Sequence, residues 1–206
     1  MQLNRNDWWK ADDIEAALAR ICVSSDTHRA TAFDLEQIFY DLDYYPDIRI
    51  LEIGCGVGRL ILPLRKQYSI VDGTDNSPSY VELSKEYLKD FLDKGRIVLN
   101  DGYTLPFEDN YYNFVFSFTT FQHIRSVPVF ISYLRETHRV LRPGGIFRYQ
   151  MHDMSNPNFG RWEENFSVVW GNAYTSEELD VLMRAMNYHD INIEEKTPWI
   201  WVTARK

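Results

Sequence analysis

A glycine-rich turn stands between two apolar segments in the first third of the chain. Ile50-Leu51-Glu52-Ile53 reads as a buried strand, and Gly54-Cys55-Gly56-Val57-Gly58 follows it directly. Glycine has no Cβ, so backbone N–H groups in such a turn can approach a ligand closely. A strand, a glycine-rich turn and a helix in succession therefore predict a site for a nucleotide-like ligand.

The spacing of the glycines separates two classes of nucleotide ligand. The dinucleotide fingerprint has glycine or alanine at the last position of G-x-G-x-x-G, where helix and strand pack closely. Counted from Gly54, that position is Arg59, and the third glycine comes one residue early, at Gly58. The spacing counts against a dinucleotide, so an oxidoreductase with a nucleotide cofactor is the less favoured alternative. Glu52, two residues before the first glycine, adds a carboxylate beside the turn.

Carboxylates also follow the next two predicted strands. Asp75 follows 69–74, and Asp101 follows 97–100. In an open α/β sheet, ligands bind at the carboxyl ends of the strands. A carboxylate at Asp75, 21 residues after Gly54, can accept hydrogen bonds from both hydroxyls of a ribose.

The elements that must position these residues alternate between strand and helix from residue 48 onward. This alternation predicts an α/β fold in which a parallel sheet carries helices on both faces. Ser77 before Pro78 is typical of a helix start, and Thr175-Ser176-Glu177-Glu178 is typical of a capping box. The predicted strands are 49–53, 69–74, 97–100, 113–118 and 146–150, followed by a hairpin of 191–195 and 199–204.

Two regions lie outside this alternating pattern. Residues 1–47 carry two helical patterns and are expected to form an N-terminal helical cap on a core of residues 48–206. These helices could pack on the sheet or cover a ligand pocket, and the sequence leaves both open. Residues 151–174 are long and aromatic for a connection, so we expect a substrate-side loop. The whole chain is expected to be a single structural domain.

The composition limits the classes of partner. A formal net charge of −8 over 206 residues counts against binding the nucleic acid backbone, which needs clustered Lys and Arg. Cys22 and Cys55 are the only cysteines and lack zinc-site spacing, so no metal is expected. No apolar run approaches the roughly 20 residues of a membrane span, and the N-terminus lacks a signal-peptide core. We expect a cytoplasmic protein without membrane or nucleic acid partners.

Five motifs stand in order along the chain: Leu51 to Gly58, Gly73 to Ser77, Asp101-Gly102 with Leu105-Pro106-Phe107, Phe121 to Ile124, and Arg139 to Gly145. Together they resemble the class I S-adenosyl-L-methionine (SAM)-dependent methyltransferases of the small type 11 kind. The resemblance covers about residues 48–149. It implies a Rossmann-like three-layer sandwich whose seven-stranded, mostly parallel sheet has an antiparallel last strand. It also implies methyl transfer from SAM to an O or N atom of a small-molecule or sugar-like acceptor.

The resemblance implies a role for each motif in the cofactor site. Gly54, Gly56 and Gly58 would face the methionine part of SAM. Glu52 would lie near its ammonium end, and Asp75 would hold the ribose hydroxyls. The remaining implied contacts are Asn76 and Ser77 on the adenine side, Asp101 at the adenine amino group with the Gly102 backbone beside it, and Ser117, Phe118 and Thr119 near the sulfonium.

A catalytic base is the least specified part of the site. Methyl transfer from a sulfonium is an in-line displacement that depends mainly on alignment, although an O or N nucleophile can also need a base. His123 and His152 are the predicted catalytic candidates, with Tyr149 and Asp153 beside them. Each of these residues could instead be structural. Because the reaction needs few named groups, a SAM-binding protein without turnover is the main alternative to an enzyme.

Overall fold

The computed structural model describes residues 10–21, 26–42, 45–157 and 172–206. Its strands form an eight-stranded, mostly parallel sheet whose C-terminal strands are antiparallel. The predicted α/β class and the antiparallel last strand are confirmed. The eighth strand is a two-residue segment that the sequence pattern did not predict.

The first of two compact units extends from Met1 to Gly102. Its three strands lie in the order β3-β2-β1 and are parallel. The described elements are α1 (Ile14–Ile21), α2 (Thr27–Ile38), β1 (Arg49–Ile53), α3 (Ile61–Arg65), β2 (Ile70–Asp75), α4 (Pro78–Tyr87), a 3-10 helical segment (Lys89–Lys94) and β3 (Ile97–Leu99).

Local chemistry explains how the central elements of this unit begin. The four residues of β1 after Arg49 are all buried, as expected for a parallel strand covered on both faces. The predicted start of α4 is confirmed, because the Ser77 hydroxyl accepts a hydrogen bond from Tyr80 N and Pro78 occupies the first turn. The predicted boundary at residue 47, between the N-terminal helices and the core, does not coincide with the end of the first unit at Gly102. It stays a prediction.

The second unit extends from Tyr103 to Lys206. Its strands follow the order β4-β5-β8-β7, and a short β6 pairs with β5. Both β4 and β6 are parallel to β5, whereas β8 is antiparallel to β5 and to β7. The described elements are β4 (Tyr112–Ser117), a 3-10 turn (Phe121–His123), α5 (Val127–Val140), β5 (Leu141–Asp153), β6 (Ala173–Tyr174), α6 (Ser176–Ala185), β7 (His189–Lys196) and β8 (Trp199–Arg205).

Two predictions for this unit differ from the structure in extent. The C-terminal hairpin is present as β7 and β8, although β7 begins two residues earlier than predicted. Strand β5 continues through His152 and Asp153, which the sequence placed in a loop. The reason is non-local pairing, since His152 lies opposite Trp199 of β8 and Ala173 of β6. Of the predicted loop, residues 158–171 lie outside the described part of the chain.

An aromatic cluster forms the core between α5 and β5. The Tyr149 ring lies 4.9 Å from Phe147, 5.4 Å from Phe121 and 6.1 Å from Phe130, measured between centroids. On α5, Phe130 and Leu134 are fully buried. Aromatic pairs at these distances add stabilisation beyond the area that they bury. The cluster holds the carboxyl-terminal half of β5 in place.

The capping box at the start of α6 generates a test of this fold. Thr175 Oγ1 accepts from Glu178 N at 3.2 Å, and Glu178 Oε2 accepts from Thr175 N at 3.1 Å. We expect Thr175→Ala to lower the free energy of unfolding by about 1 kcal/mol, because the backbone N–H of Glu178 loses its acceptor at the start of the helix. Urea denaturation measures this change. Thr175→Ser keeps the hydroxyl and is the control, and an equal loss in both variants would contradict the capping role.

Candidate functional site

The glycine-rich loop lies between the carboxyl end of β1 and α3. Its start is fixed to the neighbouring strand, because Gly54 N and Cys55 N both donate to Thr74 O, at 2.7 and 3.1 Å. Gly56 has φ +55° and Gly58 has φ +88°, conformations that residues with a Cβ rarely adopt. A Cβ at Gly58 would also lie 2.7 Å from Leu88 Cδ1. The loop therefore needs glycine for its backbone path and for its packing.

Asp75 joins this loop to the end of β2. Its Oδ2 accepts from Gly56 N and its Oδ1 accepts from Ser77 N, each at 2.8 Å. The carboxylate is only 9% exposed. Burial raises its pKa, and the hydrogen bonds from the Ser77 and Gly56 backbone oppose that rise. The structure thus brings together the glycine loop and the carboxylate that separate sequence motifs predicted.

Glu52 lies in β1, two residues before the loop, and is 3% exposed. Among the residues that the structure describes, its buried Oε2 has no hydrogen-bond partner. Burial raises the pKa of this carboxyl to about 8; the positive charge of Arg59 opposes the rise, and the charges of Asp75 and Asp34 add to it. A buried carboxyl without a hydrogen-bond partner is costly. A cation beside it would stabilise the ionised form.

The turn after β3 is organised by Asn100, a residue that sequence reasoning missed. Asn100 Nδ2 donates to Thr74 Oγ1 at 2.9 Å, and Asn100 Oδ1 accepts from Gly102 N at 2.8 Å. Asp101 and Asn76 are exposed. A Cβ built on Gly102 would have only Asn76 Nδ2 within 4 Å, so the backbone there is open to a neighbour. The signal in the sequence was an asparagine between a strand and an Asp-Gly turn.

Arg59 is the second residue whose role was missed. In the sequence it served only as the departure from the dinucleotide fingerprint. Its side chain is buried, and the whole residue is 5% exposed. Nη2 forms an ion pair with Asp34 Oδ2 at 2.7 Å, and Nη1 donates to Thr31 Oγ1 at 3.1 Å. The end of the glycine loop is therefore bonded to α2.

Helix α1 packs against the same loop. Ala17, Val57 and Tyr80 form a buried apolar cluster. Ile21 Cδ1 lies 3.5 Å from where a Cβ of Gly56 would be. Helix α1 thus packs on the glycine loop and α4, and the two alternatives for residues 1–47, packing on the sheet or covering a ligand pocket, stay predictions.

In the second unit, the predicted residues 117–119 lie at the carboxyl end of β4. Ser117 is the last residue of the strand and is buried. The Phe118 ring stacks on Trp201 at 5.9 Å between centroids. Thr119 has φ +49°, which is unusual for a β-branched residue. Such strained backbone is found preferentially at functional sites.

His123 lies in the 3-10 turn that follows. Its backbone N donates to Thr120 O at 2.9 Å. Burial lowers the pKa of the His123 imidazole to about 4. The side chain is therefore neutral at pH 7, and it can accept a proton but is a weak base.

The other three base candidates lie in β5. His152 is 2% exposed, and its ring stacks on Trp199 at 4.4 Å between centroids. The Asp153 carboxylate accepts from Ser155 N at 2.8 Å and from Ser155 Oγ at 2.7 Å, which stabilises the turn after the strand. Tyr149 is fully buried, and burial raises its pKa, so its hydroxyl keeps its proton at neutral pH.

Two further statements hold for the described residues alone. No group of three or more His, Cys, Asp or Glu side chains there is arranged to hold a metal ion. Within those same residues, no helix has both the length and the apolar character needed to cross a membrane.

Comparison with known proteins shows what the central segment is similar to. A family model described as a methyltransferase domain, Methyltransf_11, matches residues 51–149. The demethylmenaquinone methyltransferase of Staphylococcus aureus is 31% identical over 114 residues, which are 54% of this chain and 46% of that protein. The match thus spans less than half the length of this relative.

Solved structures extend the likeness over most of the chain. The phosphoethanolamine N-methyltransferase 2 of Haemonchus contortus, in complex with SAM, has a TM-score of 0.70 at 17% identity, over 86% of this chain and 52% of that one. An S-adenosylmethionine-dependent methyltransferase of Mesorhizobium loti has a TM-score of 0.70 at 16% identity, over 87% and 100%. At these identities the structures establish the fold. The family match adds that residues 51–149 are similar to a methyltransferase domain.

Proposed function

We propose that this chain is an enzyme that transfers a methyl group from SAM to an O or N atom of a small-molecule acceptor. The observation that carries the proposal is the arrangement at the ends of β1 and β2. There a glycine loop is braced by Asp75 beside Glu52, a buried carboxyl without a hydrogen-bond partner among the described residues. When bound, SAM supplies an electrophilic methyl group on a positively charged sulfur.

The ammonium end of SAM fits the environment of Glu52. An opposite charge within a few ångströms favours the ionised form of a carboxyl and lowers its pKa. Burial raises the pKa of Glu52 to about 8. A cation beside Glu52 would therefore stabilise its ionised form strongly. The positive-φ glycines beside it let the backbone approach the methionine part closely.

Asp75 can hold the ribose without releasing the loop. Each of its oxygens accepts one backbone N–H, and a carboxylate oxygen has a second lone pair for a further donor. The exposed side chains of Asn76 and Asp101, with the open backbone at Gly102, suit the adenine side. The hydroxyl of Ser77 caps α4, so we assign Ser77 a backbone role toward the cofactor.

For the acceptor, we infer that alignment contributes more than proton removal. His123 is a weak base, and Tyr149 keeps its proton at neutral pH. Correct placement of nucleophile, methyl group and sulfur can supply much of the rate enhancement without a base. Ser117, Phe118 and Thr119 are assigned to the sulfonium end, and His123 and His152 to the acceptor side.

The small-molecule assignment is supported by charge and by the relatives. A net charge of −8 does not suit the nucleic acid backbone. The S. aureus relative is named for demethylmenaquinone, and the H. contortus structure for phosphoethanolamine. The weak basicity of His123 also favours one alternative, a SAM-binding protein without turnover.

Binding and turnover assays test the proposal together. We expect S-adenosylhomocysteine (SAH) to bind in isothermal titration calorimetry. We also expect methyl-labelled SAM to pass its label to at least one member of a panel of phenols, amines, quinols and sugars. Binding without transfer to any of them would favour the SAM-binding alternative, and absence of binding would refute both.

Asp75 provides the sharpest test of the cofactor residues. We expect Asp75→Asn to weaken SAH binding roughly 10- to 100-fold, because hydrogen bonds to a charged group contribute about 1.5–3 kcal/mol. Calorimetry measures the dissociation constant. Asp47→Asn removes a carboxylate before the amino end of β1 and should leave it unchanged. Asp75→Ala should weaken binding at least as much, since the Gly56 N–H also loses its acceptor. Unchanged affinity in Asp75→Asn would contradict the ribose assignment.

The raised pKa of Glu52 predicts a pH dependence of stability. Its pKa is about 8 in the folded chain against 4.5 when unperturbed, so the folded state holds the proton more tightly. Stability from this group is present below about pH 4.5 and is lost as the pH rises to 8, at up to about 1.4 kcal/mol per pH unit. Glu52→Gln should flatten this slope between pH 5 and 8 in cofactor-free chemical denaturation. An equal slope in both proteins would contradict the raised pKa.

A further inference from the structure

The guanidinium of Arg59 is shared between two carboxyl groups in unequal ways. It is hydrogen-bonded to Asp34 of α2 at 2.7 Å, whereas it acts on Glu52 through its charge, with no hydrogen bond between these two described side chains. Glu52 keeps a buried Oε2 without a partner in the described part of the first unit. The planar fork of an arginine can serve either carboxylate. Glu52 is available to another cation only when the Arg59 guanidinium is bonded to Asp34.

The pairing with Asp34 also fixes α2 to the loop. Thr31, one turn earlier on α2, accepts from the second guanidinium nitrogen at 3.1 Å. Asp34 is largely buried, with 18% of its side chain exposed, so solvent screens the pair less than a surface ion pair. Two contacts from adjacent turns of one helix give the guanidinium a defined orientation.

We propose that Asp34 is a positioning residue for the cofactor site. By holding the Arg59 guanidinium on α2, it keeps the Glu52 carboxyl available for the ammonium group of SAM. This inference rests on the proposed function. It adds that a residue of the N-terminal helices, outside residues 51–149, controls the part of the site that would bind the ammonium group of SAM.

Loss of the Asp34 charge redirects Arg59. A buried guanidinium without a carboxylate partner is strongly unfavourable. Glu52 is the nearby carboxyl that can replace Asp34, and removal of the Asp34 charge also removes a repulsion that opposes its ionisation. Glu52 would then ionise beside Arg59 before the cofactor arrives. SAM would have to compete with an internal cation for this carboxylate.

Proton uptake or release reports on which state is present. The groups that act on Glu52 are Arg59, Asp75 and Asp34, and the Cys55 thiol lies beside it. In the wild-type chain at pH 7 the Glu52 carboxyl, with a pKa of about 8, is mostly protonated, so binding of an ammonium releases about one proton. When Glu52 is already paired with Arg59, binding releases almost none.

The experiment is SAH titration at pH 7 in buffers of different ionisation enthalpy, which gives affinity and proton release together. For Asp34→Asn we expect about tenfold weaker binding, and a fall in proton release from about one to near zero. Asp34→Glu keeps the carboxylate and should keep the release. Glu36→Gln removes an exposed charge from the same helix and should leave both quantities unchanged.

The double variant Asp34→Asn/Arg59→Gln distinguishes positioning of the Arg59 guanidinium from simple support of α2. It removes both charges of the pair, so no buried unpaired charge is left to prevent folding. The inference predicts that proton release returns to about one, since no guanidinium can pair with Glu52. If Asp34→Asn weakens binding but still releases about one proton, Asp34 only holds the helix, and the inference is wrong. Unchanged affinity and release in Asp34→Asn would also refute it. Absence of SAH binding by the wild-type chain would refute the proposed function as well.

Discussion

The carboxylate of Asp75 is the interaction on which the first unit depends. It links three elements, because its two oxygens accept from Gly56 in the loop after β1 and from Ser77 at the start of α4. Both donors are backbone groups, so a substitution at Gly56 or Ser77 that preserves the backbone keeps the link. Asp75→Ala would remove both bonds at once. The residue assigned to the ribose is therefore also the residue that shapes the loop around it.

This double use lowers the cost of burying Asp75. Two charge-assisted hydrogen bonds oppose the rise in its pKa that burial causes, although burial is the larger effect. Glu52 lies in a similar environment without such bonds among the described residues, and burial raises its pKa to about 8. The site thus holds one carboxylate that is satisfied by the fold and one carboxyl that is not. The unsatisfied group is the one for which a cationic ligand brings the larger gain.

The sequence predicted the parts of this arrangement that depend on local pattern. The glycine loop, Asp75 at a strand end, the cap of α4 and the C-terminal hairpin each have short-range signals, and the structure contains all of them. The predicted length of β5 was wrong because pairing with β6 and β8 extends the strand. The sequence of the strand itself contains no signal for such pairing. Asn100 was missed because a single amide before a turn resembles an ordinary turn residue.

The pairing of Arg59 with Asp34 was beyond prediction for a different reason. The two residues are 25 positions apart, and neither helical periodicity nor spacing specifies which exposed-looking acid on α2 meets a buried arginine. Only the packing of α2 on the loop selects Asp34. The consequence reaches beyond one ion pair. A motif that is read as self-contained, from Glu52 to Arg59, depends on a helix outside that motif for the charge balance at its own carboxyl group.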